Sequence, residues 1–190
     1  MLKTIADSSV TELSHIAAYK KGEPIVQAEQ LTKPLKWNPI DTDWRESLKE
    51  RWWATNYQGV VPQEQMKLLP LREKLLSIGG DEVCLPAYDE DLERLLADGQ
   101  FWYGDRVIKM KGLPNQCHSN SANCWDVNRD KIVLCTGYGL SKDGMWRQHS
   151  FCIKINAKRN YVVETTVDWV GYFGFVMNLQ ESESFLFNNL

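Results

Sequence analysis

The chain has 190 residues, 43% apolar and 25% charged, a balance that fits one globular domain with a packed core. Its net charge is −3 and it has no long basic run, so it holds no general attraction for nucleic acid or for an anionic membrane surface. No apolar run reaches the roughly 18–20 residues that cross a bilayer, and Met1–Val10 lacks the three-part pattern of a secretory signal, so a cytoplasmic protein is expected.

Residues 1–100 read as mainly helical. Ser8 or Ser9 can cap a helix through about Lys21, with Leu13, Ile16 and Ala17 at helical spacing. Pro24, Pro34 and Pro39 make 22–40 an extended connector. Asp41 or Thr42 can cap a second helix, with Trp44, Leu48 and Trp52 on one face. A third helical stretch follows Pro62, is interrupted at Pro70 and stops at Gly79-Gly80. Asp89–Ala97 reads as an acidic-started helix ending near Gly99. The acidic stretch from Asp81 to Glu93 reads as a solvated face.

After residue 100 the pattern changes to strands, and 101–190 reads as an α+β core that joins the helical part in one compact domain. Arg106–Lys111 alternates as a strand does, 117–127 is a short helix, and strands are expected at 131–141, 146–156 and 160–167. Ser141–Gly144, with its Asp-Gly pair, and Asn156–Asn160 are the hairpin turns between them. The fold class is therefore α+β, with a helical N-terminal half packed on an antiparallel sheet.

The chemistry gathers in the same half. Gly112-Leu-Pro-Asn-Gln-Cys-His-Ser-Asn120 puts Cys117 where a helix begins. There the unpaired backbone N–H groups favour thiolate, the nucleophilic form. His149 opens a strand whose alternate residues Phe151, Ile153 and Ile155 are apolar, so it points inward. Glu164 interrupts the next apolar strand; a hairpin register with an odd sum of residue numbers would place it on the His149 face. Asp168 and Thr165 remain alternatives for that third position.

Around the thiol, Asn115 is a helix-cap candidate, Gln116 a side-chain oxyanion donor, and Asn120 a first-turn neighbour. His118 points about 100° away from Cys117 on a helix, which makes it a wall residue or reserve base. Trp146, Arg147, Trp169 and Tyr172 are expected to line the substrate cleft, Arg147 as a carboxylate clamp.

Each of these residues also has a purely structural reading. A lone cysteine is commonly a small core residue, an inward histidine a backbone-bonded core group, and a Trp/Tyr/Phe cluster simply core. A zinc site from Cys117, His118, Cys124 and His149 is a rival, but the spacing matches no common zinc pattern. Gly137-Tyr-Gly139 has no P-loop lysine, which disfavours phosphate chemistry. The five cysteines, odd in number, are expected as free thiols.

A cysteine at a helix start, a histidine opening a strand and an acidic residue on the next strand resemble the papain-like fold in its broad sense, over about residues 110–175. Its branches include transglutaminase-like enzymes, cell-wall amidopeptidases and glutamine amidases. The resemblance implies Cys117 as nucleophile, His149 as base and Glu164 as orienting group, where the family commonly has Asp or Asn. It implies a thiol-dependent hydrolase or acyl transferase acting on an amide: a peptidase, amidase or deamidase. Neither metal nor cofactor is expected, and the partner would be a protein, peptide or small amide substrate. The alternatives are a non-catalytic binding or inhibitory protein on the same fold, and a small-molecule enzyme in which Cys117 only lines a pocket.

Overall fold

The computed structural model describes residues 31–38, 63–155 and 160–190. The expected helices at 8–21 and from 41 onward, and the turn at 156–159, lie outside these. Residues 31–38 have no regular structure. The elements in chain order are α1 (Gln63–Met66), α2 (Leu69–Ile78), β1 (Glu82–Val83), α3 (Leu92–Asp98), β2 (Gln100–Tyr103), β3 (Val107–Lys109), α4 (Cys117–Asp126), β4 (Ile132–Leu140), β5 (Met145–Lys154), β6 (Tyr161–Glu164), β7 (Gly171–Val176) and α5 (Leu179–Asn189). Pro70 sits in the first turn of α2, where its missing N–H costs nothing, and the helix stops at Gly79.

The fold is α+β. Its strands run in the order β2-β7-β4-β5-β6-β3, with β1 beside β5. The sheet is mixed, not antiparallel as expected from the hairpins alone, because β1 runs parallel to β5 and β3 parallel to β6. Parallel neighbours need long connections, which leave no turn signature between adjacent strands.

Two apolar clusters cover the two faces of the sheet. One holds Leu71, Leu75, Trp125, Leu134, Trp146 and Phe173 with the helices. The other holds Trp102, Val133, Cys135, Phe151, Ile153 and Tyr172. All nine residues of β4 are buried in consequence, so that strand shows no alternation of apolar and polar residues.

The middle strand β5 positions the site. One edge pairs with β4 from Trp146 to Lys154. On its other edge, β1 takes Met145 and Trp146 and β6 takes Cys152 to Lys154. Residues 147–151 between them have no strand partner on that side among the described residues, and the start of α4 meets the chain there.

Candidate active site

The approach to Cys117 is held at three points. Met110 N–H donates to the Glu164 carbonyl at 2.8 Å and Gly112 N–H to the Thr165 carbonyl at 2.8 Å, which ties the loop to the end of β6. The Asn120 side chain then clamps the loop from inside the helix, accepting from Leu113 N–H at 3.0 Å and donating to its carbonyl at 2.7 Å. Gly112 packs directly on that amide. A Cβ there would stand 2.4 Å from Asn120 Cγ, so only glycine fits. Asn115 takes the left-handed backbone (φ 58°) that turns the chain into α4.

His149 and Glu164 meet by register. Cys152 pairs with Val163 and Ile153 with Val162, an odd sum. One step further sets Glu164 level with Phe151 and diagonal to His149, on the same face. The His149 Nε2 to Glu164 Oε2 distance is 2.8 Å, and the pair is dry, with exposures of 1% and 3%. The second oxygen, Oε1, accepts three bonds: from Thr165 N–H (2.9 Å), Thr166 N–H (2.6 Å) and the Thr166 hydroxyl (2.8 Å). Because Glu164 takes Nε2, Nδ1 is left for the thiol, and His149 and Cys117 stand close enough to shift each other's titration. The Trp169 ring lies against the imidazole, centroids 4.7 Å apart. It fits over the strand because Gly139 has no Cβ, which would stand 2.6 Å from that ring.

The electrostatics follow from this geometry. Burial pushes the Cys117 thiol up, but the His149 hydrogen bond and charge, with the N–H groups of Ser150 and His118, outweigh it and leave the thiol below its ordinary value. Burial pushes His149 down, and its bonds to Cys117 and Glu164 more than reverse this, raising it to about 9. Burial likewise raises Glu164, but His149 and Thr166 hold it below the usual carboxylate range. All three shifts favour thiolate, imidazolium and carboxylate together.

The structure thus brings Cys117, His149 and Glu164 into one chain of contacts. Asp168 is elsewhere, paired at the surface with Lys109 at 2.6 Å. Thr165 turns its side chain to the far side and offers only its N–H to Glu164.

Several expectations are corrected. Asn115 does not cap α4. Gln116 holds that position without a side-chain capping bond, and its side chain is exposed. Asn120, expected as a first-turn neighbour, is that, and it braces the loop through Leu113. His118 points away from the thiol as expected, its Nδ1 2.6 Å from Ser150 Oγ and its ring against Phe185. Trp146 is fully buried on the helix-covered face, its indole N–H bonded to the Gly79 carbonyl at 2.7 Å, so it lines no cleft. Arg147 is engaged by Asp143 at 2.8 Å within the β4–β5 turn and is no free clamp. Tyr172 is fully buried beside Phe151. Among the four expected cleft residues, Trp169 and Tyr172 pack against the His149 ring, with centroids 4.7 Å and 6.0 Å away. Asp89, expected in a solvated stretch, is buried, with the Tyr138 hydroxyl donating to it at 2.7 Å.

No group of three metal-binding side chains occurs among the described residues. Cys124 lies in the core 3.7 Å from the Met110 sulfur, away from His149, so the rival set of four does not converge.

Sequence reading missed Thr166 and Ser150. Thr166 was legible in principle: a hydroxyl two residues after a carboxylate is a familiar local bonding pattern. The Ser150 N–H had no such signal. Comparison with protein-family models, with curated proteins and with solved structures finds no match for this chain.

Proposed function

We propose that the protein is a thiol-dependent hydrolase or acyl transferase acting on an amide, on a papain-like arrangement of one helix and a sheet. The observation that supports this most is the unbroken contact chain from a half-buried thiol to a buried imidazole to a buried, fully hydrogen-bonded carboxylate. A structural histidine would need none of these particular partners.

In this reading the Cys117 thiolate attacks the amide carbon and forms a tetrahedral intermediate. The N–H of Cys117 belongs to the first turn of α4, where it has no intrahelical acceptor, and in this reading it serves the developing oxyanion. His149 gives its proton to the departing amine, leaving a thioester on Cys117. Water, or an amine in the transfer reaction, then attacks the thioester while His149 takes up its proton. Glu164 keeps the ring oriented and charged, and Thr166 keeps Glu164 in place. Trp169 covers the imidazole and keeps water from the His149–Glu164 bond.

The test is alkylation with iodoacetamide at pH 6, read by peptide mass. Cys117 should be modified ahead of Cys84, Cys124, Cys135 and Cys152, and p-nitrophenyl acetate should acetylate the same sulfur. Uniform slow labelling of all five cysteines would overturn the enzyme reading in favour of a binding protein.

A further inference from the structure

The sheet face that carries His149 and Glu164 also carries Tyr172. Tyr172 of β7 pairs with Gly139 of β4, which pairs with Arg147 of β5, so the two-residue period puts it on the His149 side. Gly137 and Gly139 add no side chain to that stretch of β4. The Tyr172 ring lies 6.0 Å from the His149 ring and 5.0 Å from the Phe151 ring, centroid to centroid.

Tyr172 is fully buried, yet its hydroxyl makes no hydrogen bond. A buried hydroxyl without a partner is destabilising, and folded proteins rarely keep one. Phenylalanine would fill the same space without that penalty. Burial first, then the charges of Glu164 and Asp168, hold the phenol far above its ordinary value, so it remains a proton donor at neutral pH. Of these two carboxylates, Asp168 is already paired with Lys109.

Glu164 has room for the donor. A carboxylate oxygen accepts about two hydrogen bonds. Oε1 has three donors, whereas Oε2 has only His149 Nε2 among the described residues. In the resting site the imidazolium offsets the Glu164 charge. Once a thioester has formed, His149 must be neutral to act as base. The carboxylate behind the ring opposes this by holding a proton on it. A further neutral donor on Oε2 spreads the negative charge and weakens that hold.

We propose that Tyr172 is a positioning residue acting through Glu164: its hydroxyl closes on Oε2 in the thioester stage and lets His149 take a proton from the attacking water. The proposal rests on the hydrolase reading above and assigns Tyr172 to its second half. There the water oxygen bonds to the thioester carbon and its proton goes to His149 Nδ1. The C–S bond then breaks, leaving acid product, thiolate and imidazolium. The other titratable groups around the pair, among the described residues, are Cys117 and His118 from α4, Cys152 of β5 and Asp168 ahead of β7. Cys117 is acylated at this stage, His118 is bonded to Ser150, Asp168 is paired with Lys109, and Cys152 belongs to the cluster on the opposite face.

The test is Tyr172→Phe in the full chain, which keeps the ring and deletes the hydroxyl. p-Nitrophenol release from p-nitrophenyl acetate gives the acylation rate, and loss of the acetyl group from Cys117, followed by mass after the ester is removed, gives deacylation. Acylation should change by less than about twofold. Deacylation at pH 7 should slow about tenfold, and its acid limb should move up by about one pH unit, because the less satisfied carboxylate holds the His149 proton to higher pH. The urea midpoint should stay the same or rise, since the lost hydroxyl had no partner. Should the variant fold poorly, 3-fluorotyrosine installed at Tyr172, a stronger donor, should move the limb the other way. Equal slowing of both steps, or an unmoved acid limb, overturns the proposal and leaves the hydrolase reading standing. A native chain that forms no acetyl-Cys117 overturns both, and the iodoacetamide labelling reports that failure independently.

Discussion

The first and last turns of α4 each carry a cysteine, seven residues apart and therefore two turns along the same helix. Cys117 is half-buried at the open end beside His149, and although burial pushes its thiol up, the imidazole and the neighbouring N–H groups leave it lowered. Cys124 is sealed in the core against Met110 and Cys152, whose own thiol burial pushes well above its ordinary value. Residue type and helix are the same in both places. Solvent access and the charge of one neighbour separate a nucleophile from a filler. The same contrast divides the carboxylates: Glu164 meets four donors and is held low, whereas burial, and after it the neighbouring carboxylates, raises Asp91 to about 6.

The largest expected break in this contrast is Cys117→Ala. It should cut p-nitrophenyl acetate hydrolysis by roughly 10³-fold or more, to the buffer rate. Cys124→Ala should leave it unchanged. A Cys117→Ala protein that still hydrolyses the ester at the native rate would move the chemistry elsewhere.

His149→Ala comes next. It should slow Cys117 alkylation at pH 6 by roughly tenfold to a hundredfold as the thiol returns toward about 8.5. It also leaves Glu164 buried without its partner, which should cost about 3 kcal/mol in urea unfolding. A native alkylation rate would show that His149 does not ionise the thiol.

Glu164→Gln sharpens the comparison through pH. The shift of His149 from 6.5 to about 9 stabilises the fold fully below 6.5, and that contribution is lost as pH rises through about 9. Glu164, held below 4.5, contributes above 4.5 and its contribution is lost as pH falls below that value. Urea midpoints measured across this range should decline at both ends in the native chain and vary less in Glu164→Gln. Unchanged slopes would separate the carboxylate from the imidazole.

The smallest effects belong to the supports. Thr166→Val deletes one of three donors to Oε1 and should cost about 1 kcal/mol, with turnover changed by less than about threefold. Cys124→Ala should lower stability by about 1 kcal/mol through lost packing while labelling of Cys117 stays the same.

Local signals carried much of the C-terminal half. The α4 start at Cys117, the Asp-Gly turn and the long strands β4 and β5 lie within a residue or two of their expected ends, because caps, turn residues and apolar runs act over a few residues. Three strands and a helix were overlooked, the two-residue β1 among them. Phe101-Trp-Tyr103 in β2 and the Gly-aromatic run of β7 are buried on both faces and show no alternation. For α5 the signal was present and unread: Asn178 and Glu181 form a capping box ahead of Phe185 and Leu186. The cleft residues failed for another reason. Trp146 and Tyr172 are suitable cleft residues by type, and only the packing of two layers against the sheet sends them into the core.

What the sequence determined by itself was the set of reactive groups, their order along the chain, and an α+β frame with the thiol at a helix start. Those properties reside in single residues and short patterns. The register that turned Glu164 toward His149, the gap in β5 that admits Cys117, and the gathering of Asp89, Glu90 and Asp91 with Glu181 from two separate segments were decided by tertiary structure alone. A one-residue slip of β6 reverses which side chain faces the imidazole, and nothing local to that strand fixes it.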